Sequence, residues 1–233
     1  MFPSNIPAGF SSPLSPDKLL ISKEFFEDLA AGKQRTVVLY GTSLTAGGAW
    51  VDSMKEWFDK RYPGLVTLIN SGGPGENSDW GVAHLKEKVL DHDPALVFIE
   101  FSYNDAHDKF EMSLERGASN LHQMVEGIKS GNPGAQIVLQ VMNIGWDAPN
   151  GNRSLSVRPM LDQFNDNYRN CARSHQFPLL DHYVNWKKLK ETTPEVYQSY
   201  VPDGSHPTPE GSLKVTWPLV ESLLNDSART AGN

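Results

Sequence analysis

A serine, an aspartate and a histidine stand out in this chain because their types and settings suit nucleophilic chemistry. Ser43 lies in Gly41-Thr42-Ser43-Leu44-Thr45, directly after the strand-like run 36–40, and Asp203 and His206 share the turn Asp203-Gly204-Ser205-His206-Pro207. A serine hydroxyl attacks a carbonyl carbon only when a neutral imidazole takes its proton and an acid orients that imidazole. Attack also places negative charge on the carbonyl oxygen, which needs N–H donors already in place. The backbone N–H of Ser43, a glycine N–H from Ser71-Gly72-Gly73-Pro74-Gly75-Glu76-Asn77-Ser78, and the amide of Asn104 in Ser102-Tyr103-Asn104-Asp105 are candidates. The chemistry expected of this set is acyl transfer from an ester, with His206 as base and Asp203 as its orienting acid. No metal or organic cofactor is required, and activity is expected to fall on the acid side as the imidazole takes up a proton.

Residues this distant in sequence meet only if strand-to-helix loops open on one edge, as they do in a parallel sheet. Apolar runs at 36–40, Val66–Asn70, Leu96–Phe101, Ile137–Met142 and Pro178–Asp181 are the strand candidates. Between them, Val51, Met54, Phe58 and Tyr62 form one helical stripe. Leu114, Ala118, Leu121, Val125 and Ile128 form a second, and Val157, Leu161, Phe164, Tyr168 and Cys171 a third. Leu19, Leu20, Phe25, Phe26 and Leu29 predict a helix over about 16–31. Thr208 reads as the N-cap and Pro209 as the first residue of the last helix. That helix should bury Leu213, Trp217, Val220 and Leu224, and Pro218 should kink it. Alternating strands and helices predict an α/β fold, a three-layer α/β/α sandwich around a five-stranded, mostly parallel sheet. The division expected is an N-terminal arm and helix at 1–35, one hydrolase domain at 36–225 and a C-terminal tail at 226–233, the first 16 residues being a Pro/Ser-rich extended arm.

These four polar segments, in this order, resemble the blocks of the SGNH, or GDSL-type, hydrolase family, named for its Ser, Gly, Asn and His. Ser43 in Gly41-Thr42-Ser43-Leu44 matches the nucleophile block, and Gly75 in Asn70-Ser71-Gly72-Gly73-Pro74-Gly75 matches the oxyanion glycine. Asn104 in Tyr103-Asn104-Asp105 and His206 in Asp203-Gly204-Ser205-His206-Pro207 match the remaining two. The resemblance spans about residues 36–225 and implies a flavodoxin-like fold with ester hydrolysis through acyl-Ser43. It also implies an oxyanion hole of Ser43, Gly75 and Asn104. Acetylated carbohydrates, lysophospholipids and acyl thioesters are the substrate classes it brings, with short acyl groups favoured here. Two positions depart from the pattern: Thr42 replaces the usual aspartate, and Tyr103 stands where glycine is common. The α/β-hydrolase elbow, Gly-x-Ser-x-Gly, fits less well, because Leu44 is followed by Thr45.

Other residues are read beside this set. Glu100, inside an apolar strand, needs hydrogen-bond partners and is expected to support the site loops. Asp105 is expected to brace its own loop. Thr42, Trp80, Tyr103 and Trp146 are candidates to line the substrate cleft, while Trp50 and Trp57 read as scaffold. His182 is a weaker candidate base than His206. Asp91-His92-Asp93 and Asp105-Ala106-His107-Asp108 have metal-like composition but read as a solvated turn and a supporting loop. The lone Cys171 reads as a buried thiol. A net charge of −7 without a basic run in the sequence argues against nucleic acid and anionic membranes as partners. No basic start followed by an apolar run is present, so no signal peptide is read and a cytoplasmic location is expected. The rival enzyme reading is a lysophospholipase or thioesterase. The rival outside enzymes is a sugar-binding module that has lost catalysis.

Overall fold

The computed structural model describes residues 19–231, so the arm expected at 1–16 lies outside the described residues. Five strands, β1 (Arg35–Gly41), β2 (Val66–Asn70), β3 (Leu96–Glu100), β4 (Gln136–Val141) and β5 (Leu179–Asp181), pair in parallel in the order β2-β1-β3-β4-β5. They coincide with the apolar runs of the sequence nearly end to end. Val37 to Tyr40 and Leu96 to Ile99 are fully buried, as expected of central strands covered on both faces. The helices are α1 (Lys23–Ala30), α2 (Ser43–Ala46), α3 (Ala49–Arg61), α4 (Ser78–Ala83), α5 (Leu85–Lys88), α6 (Ser102–Asp105), α7 (Leu114–Gly131), α8 (Leu161–His175), α9 (His182–Thr192), α10 (Pro194–Tyr200), α11 (Pro209–Gly211) and α12 (Trp217–Ala231). On one side α3 and α12 pack together, with α9 beside the turn that leads into α12; on the other, α4 and α8 flank α7. The result is the three-layer α/β/α sandwich. Among the described residues no helix is long and apolar enough to cross a membrane.

Three helix expectations are corrected. The N-terminal helix starts at Lys23, not near 16, because Ser22 caps it by accepting the Glu24 N–H; Phe25, Phe26 and Leu29 are buried as expected. Val157 belongs to the turn ahead of α8, since Pro159 disfavours helical geometry at Arg158 and the helix begins only at Leu161. Thr208 does cap α11 with Pro209 at its first position, but the chain then runs through a π-helical turn, Ser212–Thr216, before α12. Pro218 has no N–H to return, and a wider turn lets the ladder skip that bond. The extra residue shifts the helical phase, so Leu213 turns outward at 42% exposure while Val220 and Leu224 remain buried. Helix α12 continues to Ala231, past the tail boundary at 225.

Helix α1 closes the amino edge of the sheet. Its Asp28 pairs with Arg35 at the start of β1. Glu24, Phe25 and Asp28 share a cavity of about 590 Å³ with Arg35, Thr36, Ala95 and Gln136, at or beside the amino ends of β1, β3 and β4. The same segment meets α12, where Ile21 N–H donates to Ser227 Oγ at 3.1 Å.

Candidate active site

The register sets the position of every polar loop. Gly41 pairs with Glu100, and Leu39 with Asn70, so β1, β2 and β3 end together and release Ser43, Ser71 and Ser102 on the carboxyl edge. In the order β2-β1-β3, successive connections leave β1 in opposite directions, and ligands bind at such a switch point. Ser43 follows β1 and Asn104 follows β3, so both stand there.

Ser43 is the first residue of α2, where backbone N–H groups have no intrahelical acceptor. Its Oγ is 2.9 Å from His206 Nε2, and His206 Nδ1 is 2.6 Å from Asp203 Oδ2. A carboxylate beside Nδ1 assigns the ring proton to that nitrogen and leaves the Nε2 lone pair facing the hydroxyl. The other carboxylate oxygen accepts the backbone N–H of Ser205 at 2.8 Å and of His206 at 2.7 Å. Burial alone would raise the Asp203 carboxyl, but hydrogen bonds from the His206 backbone and imidazole and from Ser205 outweigh it and hold the group below its ordinary value. Gly75 has φ +80°, a left-handed geometry that favours glycine, and this curls its loop towards Ser43. Asn104 donates one amide N–H to the Glu76 carbonyl at 2.7 Å, which fixes the side chain and leaves its second N–H for another acceptor. Ser43, Gly75, Asn104 and His206 line one cavity and Asp203 stands behind His206, so the structure brings together the residues expected to form the reacting centre.

The departure at Thr42 has a local explanation. Thr42 turns inward and is fully buried, its Oγ1 accepting the Leu44 N–H at 3.2 Å as the cap of α2. Glu100 reaches across from β3: its Oε1 accepts Thr42 N–H at 2.6 Å, Thr45 Oγ1 at 2.8 Å and Thr42 Oγ1 at 3.0 Å. Only glycine fits at position 41, since a Cβ there would stand 2.3 Å from that carboxylate. The supporting role expected of Glu100 is what the geometry shows. Burial pushes its carboxyl up to about 7, against the hydrogen bonds from Thr45 and Thr42. Asp105 is likewise pushed up to about 7 by burial. Instead of bracing its own loop, it accepts the Ser78 N–H at 2.8 Å and ties α6 to the start of α4.

Of the four residues expected to line the cleft, Tyr103 does so, while Thr42, Trp80 and Trp146 lie outside both cavities at Ser43. Trp80 stacks on His84 with ring centroids 4.7 Å apart and underlies Gly73, so it braces the glycine loop from behind. Trp146 is held by Nε1 donating to the Val201 carbonyl at 2.7 Å. Trp50 and Trp57 are buried scaffold, although Trp50 also borders the apolar cavity. His182 is fully buried and bonded to Gln140. Asp91, His92 and Asp93 are exposed in the turn before β3. Cys171 is half-buried, and burial pushes its thiol up to about 11. Among the described residues the one trio spaced to hold a metal is His122, Glu126 and His175, exposed on α7 and α8 and absent from the Ser43 cavities.

Sequence reasoning missed the segment that carries the Asp203–His206 turn. Asn152 N–H donates to the Asp203 carbonyl at 2.6 Å, Trp146 N–H to the Gly204 carbonyl at 3.1 Å, and the buried Asn143 amide to the Ser205 carbonyl at 2.9 Å. The available signal was Asn143 immediately after an apolar strand. Two cavities flank Ser43 and His206. One, of about 380 Å³, has apolar walls from Leu44, Trp50, Met142 and Pro207. The other, of about 480 Å³, holds Gly75, Asn104, Tyr103 and Arg158. Among the described residues, the larger cavity at the amino edge has no serine–histidine pair in its lining.

Comparison with known proteins agrees with this geometry. The model of the GDSL-like Lipase/Acylhydrolase family matches residues 39–213. An arylesterase of Vibrio mimicus is 29% identical over 218 residues, covering 88% of this chain and 97% of the relative. The thioesterase 1/protease 1/lysophospholipase L1 of Escherichia coli strain K12 is 26% identical over 178 residues, 74% of this chain and 75% of the relative. An acetylxylan esterase from Geobacillus stearothermophilus has the same fold, with a TM-score of 0.66 at 17% identity, covering 84% of this chain and 94% of its own. A family match across most of the sequence, over a parallel sheet with a serine and a histidine in contact at its carboxyl edge, makes this chain a member of the GDSL-like lipase/acylhydrolase family and an ester hydrolase.

Proposed function

We propose that the chain hydrolyses short acyl esters through an acyl-Ser43 intermediate. The observation that carries this reading is the continuous line from Ser43 Oγ to His206 at 2.9 Å and from His206 to Asp203 at 2.6 Å. His206 Nε2 takes the Ser43 proton as Oγ bonds to the ester carbon, and Asp203 stabilises the imidazolium that forms. The oxygen that becomes negative is received by the N–H groups of Ser43 and Gly75 and by the Asn104 amide. Collapse breaks the bond to the alcohol, which leaves with the proton from His206. Water then attacks the acyl-enzyme with His206 again as base. The apolar cavity beside Ser43 is a natural seat for a short acyl group, and an acetyl ester of a sugar is the substrate class favoured. The acetylxylan esterase activity of a protein of the same fold supports that choice.

The test is intact mass after treatment with a fluorophosphonate, comparing the parent with Ser43→Ala. One adduct that vanishes in the variant is expected. A folded parent that takes no adduct would leave a sugar-binding protein without catalysis as the better reading. Rates across acetyl, butyryl, octanoyl and palmitoyl esters then test chain length, and a maximum at palmitoyl would replace the short-acyl reading with a lysophospholipase or thioesterase.

A further inference from the structure

The cavity on the Asn104 side of Ser43 gathers positive charge in a chain whose net charge is −7. Lys109, Arg153 and Arg158 line it beside the imidazole of His107, and among the described residues no aspartate or glutamate does. They come from two separate segments, so no basic run announces them in the sequence. Arg158 is only 7% exposed. Its guanidinium lies 4.0 Å from the centre of the Tyr103 ring and donates to the Tyr103 carbonyl at 2.8 Å and the Ser154 carbonyl at 3.3 Å. Those bonds use Nε and Nη1; Nη2 has no acceptor and Arg158 no ion-pair partner among the described residues. Neutral carbonyls offset only part of the cost of taking a cation out of water, and the fixed planar fork is suited to an oxyanion.

Three acids stand beside this wall, each with hydrogen-bond partners of its own, and Asp203 is taken up by His206 Nδ1 at 2.6 Å and Asn152 Nδ2 at 3.4 Å. Asp108 is 3.0 Å from His107 and is not part of the cavity lining, although its charge also acts on Arg158. Asp147, which faces Arg153, accepts the backbone N–H of Leu155 and Ser156 and the Ser156 hydroxyl. His107 is held below the ordinary imidazole value by its burial and then by Arg158 and Lys109, the response expected where cations crowd one another.

We infer that this cavity recognises an oxyanion, a carboxylate or a sulfate, carried on the alcohol portion of the ester, with Arg158 as its fixed partner and Lys109 and Arg153 at its rim. The assignment to the alcohol follows from the opposite cavity, whose walls are apolar and suit the acyl group. The inference rests on the esterase reading above, and it names a substrate feature that reading does not contain.

The test compares three acetyl esters, phenyl acetate, 4-acetoxybenzoate and 4-acetoxybenzenesulfonate, on the parent, on Arg158→Gln and on Lys109→Gln/Arg153→Gln. Comparing variant with parent on each ester cancels the different reactivities of the leaving groups. The expected result is a fall of about tenfold or more in the anionic-to-neutral ratio of kcat/KM for Arg158→Gln, the scale of one charge-assisted hydrogen bond. The rim variant should show a smaller fall, and raising salt to about 0.5 M should shrink the parent's preference. A larger effect on the benzoate points to a carboxylate-bearing alcohol, and on the sulfonate to a sulfated one. Equal losses on charged and neutral esters in both variants overturn the inference and leave Arg158 as a strut under Tyr103. Should Arg158→Gln fail to fold, the rim variant carries the test, and an unchanged ratio there together with salt-independent rates is the overturning result. Fluorophosphonate labelling of Ser43 separates the two readings: a labelled enzyme blind to charge refutes the anion site alone, whereas an unlabelled one refutes the esterase.

Discussion

Replacing Glu100 with glutamine should stabilise the protein at high pH relative to the parent and change its stability much less at low pH. The buried carboxyl is pushed from 4.5 up to about 7 by desolvation, against its hydrogen bonds with Thr45 and Thr42. A rise of that size corresponds to about 3 kcal/mol of penalty when the group is forced to ionise inside the fold. The folded state therefore binds a proton that the unfolded chain has released. Stability falls as pH rises from the unfolded value, and the penalty is complete once the pH passes about 7. Below about pH 4.5 both states are protonated and the penalty is absent. Glutamine keeps an oxygen for Thr42 N–H and Thr45 Oγ1, and its amide can donate to Thr42 Oγ1, which stands 3.2 Å from the second carboxylate oxygen. Asp203 acts in the opposite sense: its carboxyl is held low, so its stabilisation is present above the unfolded value and is lost as pH falls. That contribution is common to both proteins and cancels from their difference. Urea titrations between about pH 4.5 and 8.5, with equal m-values as the check on two-state behaviour, give the comparison. The difference should grow by about 3 kcal/mol in favour of the variant across that range. A pH-independent difference, or one that moves towards the parent, would refute the reasoning by showing that the threonine donors hold Glu100 ionised.

Asn104→Ala should fold normally and lose on the order of a hundred- to a thousand-fold in kcat, the usual loss for one oxyanion donor; an unchanged kcat removes Asn104 from the reacting centre. Asp203→Asn should reduce kcat less than Ser43→Ala does, by about two orders of magnitude, because serine and histidine alone retain part of the relay. Equal losses would show that the aspartate also holds the turn together. Gly75→Ala meets no atom within 4 Å, so its cost should come from φ +80° alone, about 1 kcal/mol in a urea melt. A loss several times larger would reveal a contact that this geometry does not contain.

The candidate reacting residues were legible because each sits in a short block of chain whose strand or turn is encoded beside it. Ser43 follows a run of apolar residues, and Asp203 and His206 need only one turn to meet. What a side chain does on the far side of its own strand was less accessible. Thr42 makes sense only once the register sets Gly41 against Glu100. Trp80 and Trp146 lie near site loops in sequence but turn towards the core, a choice made by packing rather than by pattern. Leu213 has the spacing of a buried residue, and a single π turn rotates it outward. Arg158 gave no signal because its neighbours Lys109 and Arg153 are adjacent only after the loops fold over Ser43.

The clasp between α1 and α12 bears on how this enzyme could be attached to something else. Ile21 and Ser227 are in hydrogen-bond contact, and α1 closes the edge of the sheet opposite the serine. A linker grafted in place of the residues ahead of Leu19 would leave the molecule from its underside. Tethered to a bead or an electrode in that way, the protein would hold its cleft facing the solution, where a bulky ester could still reach it.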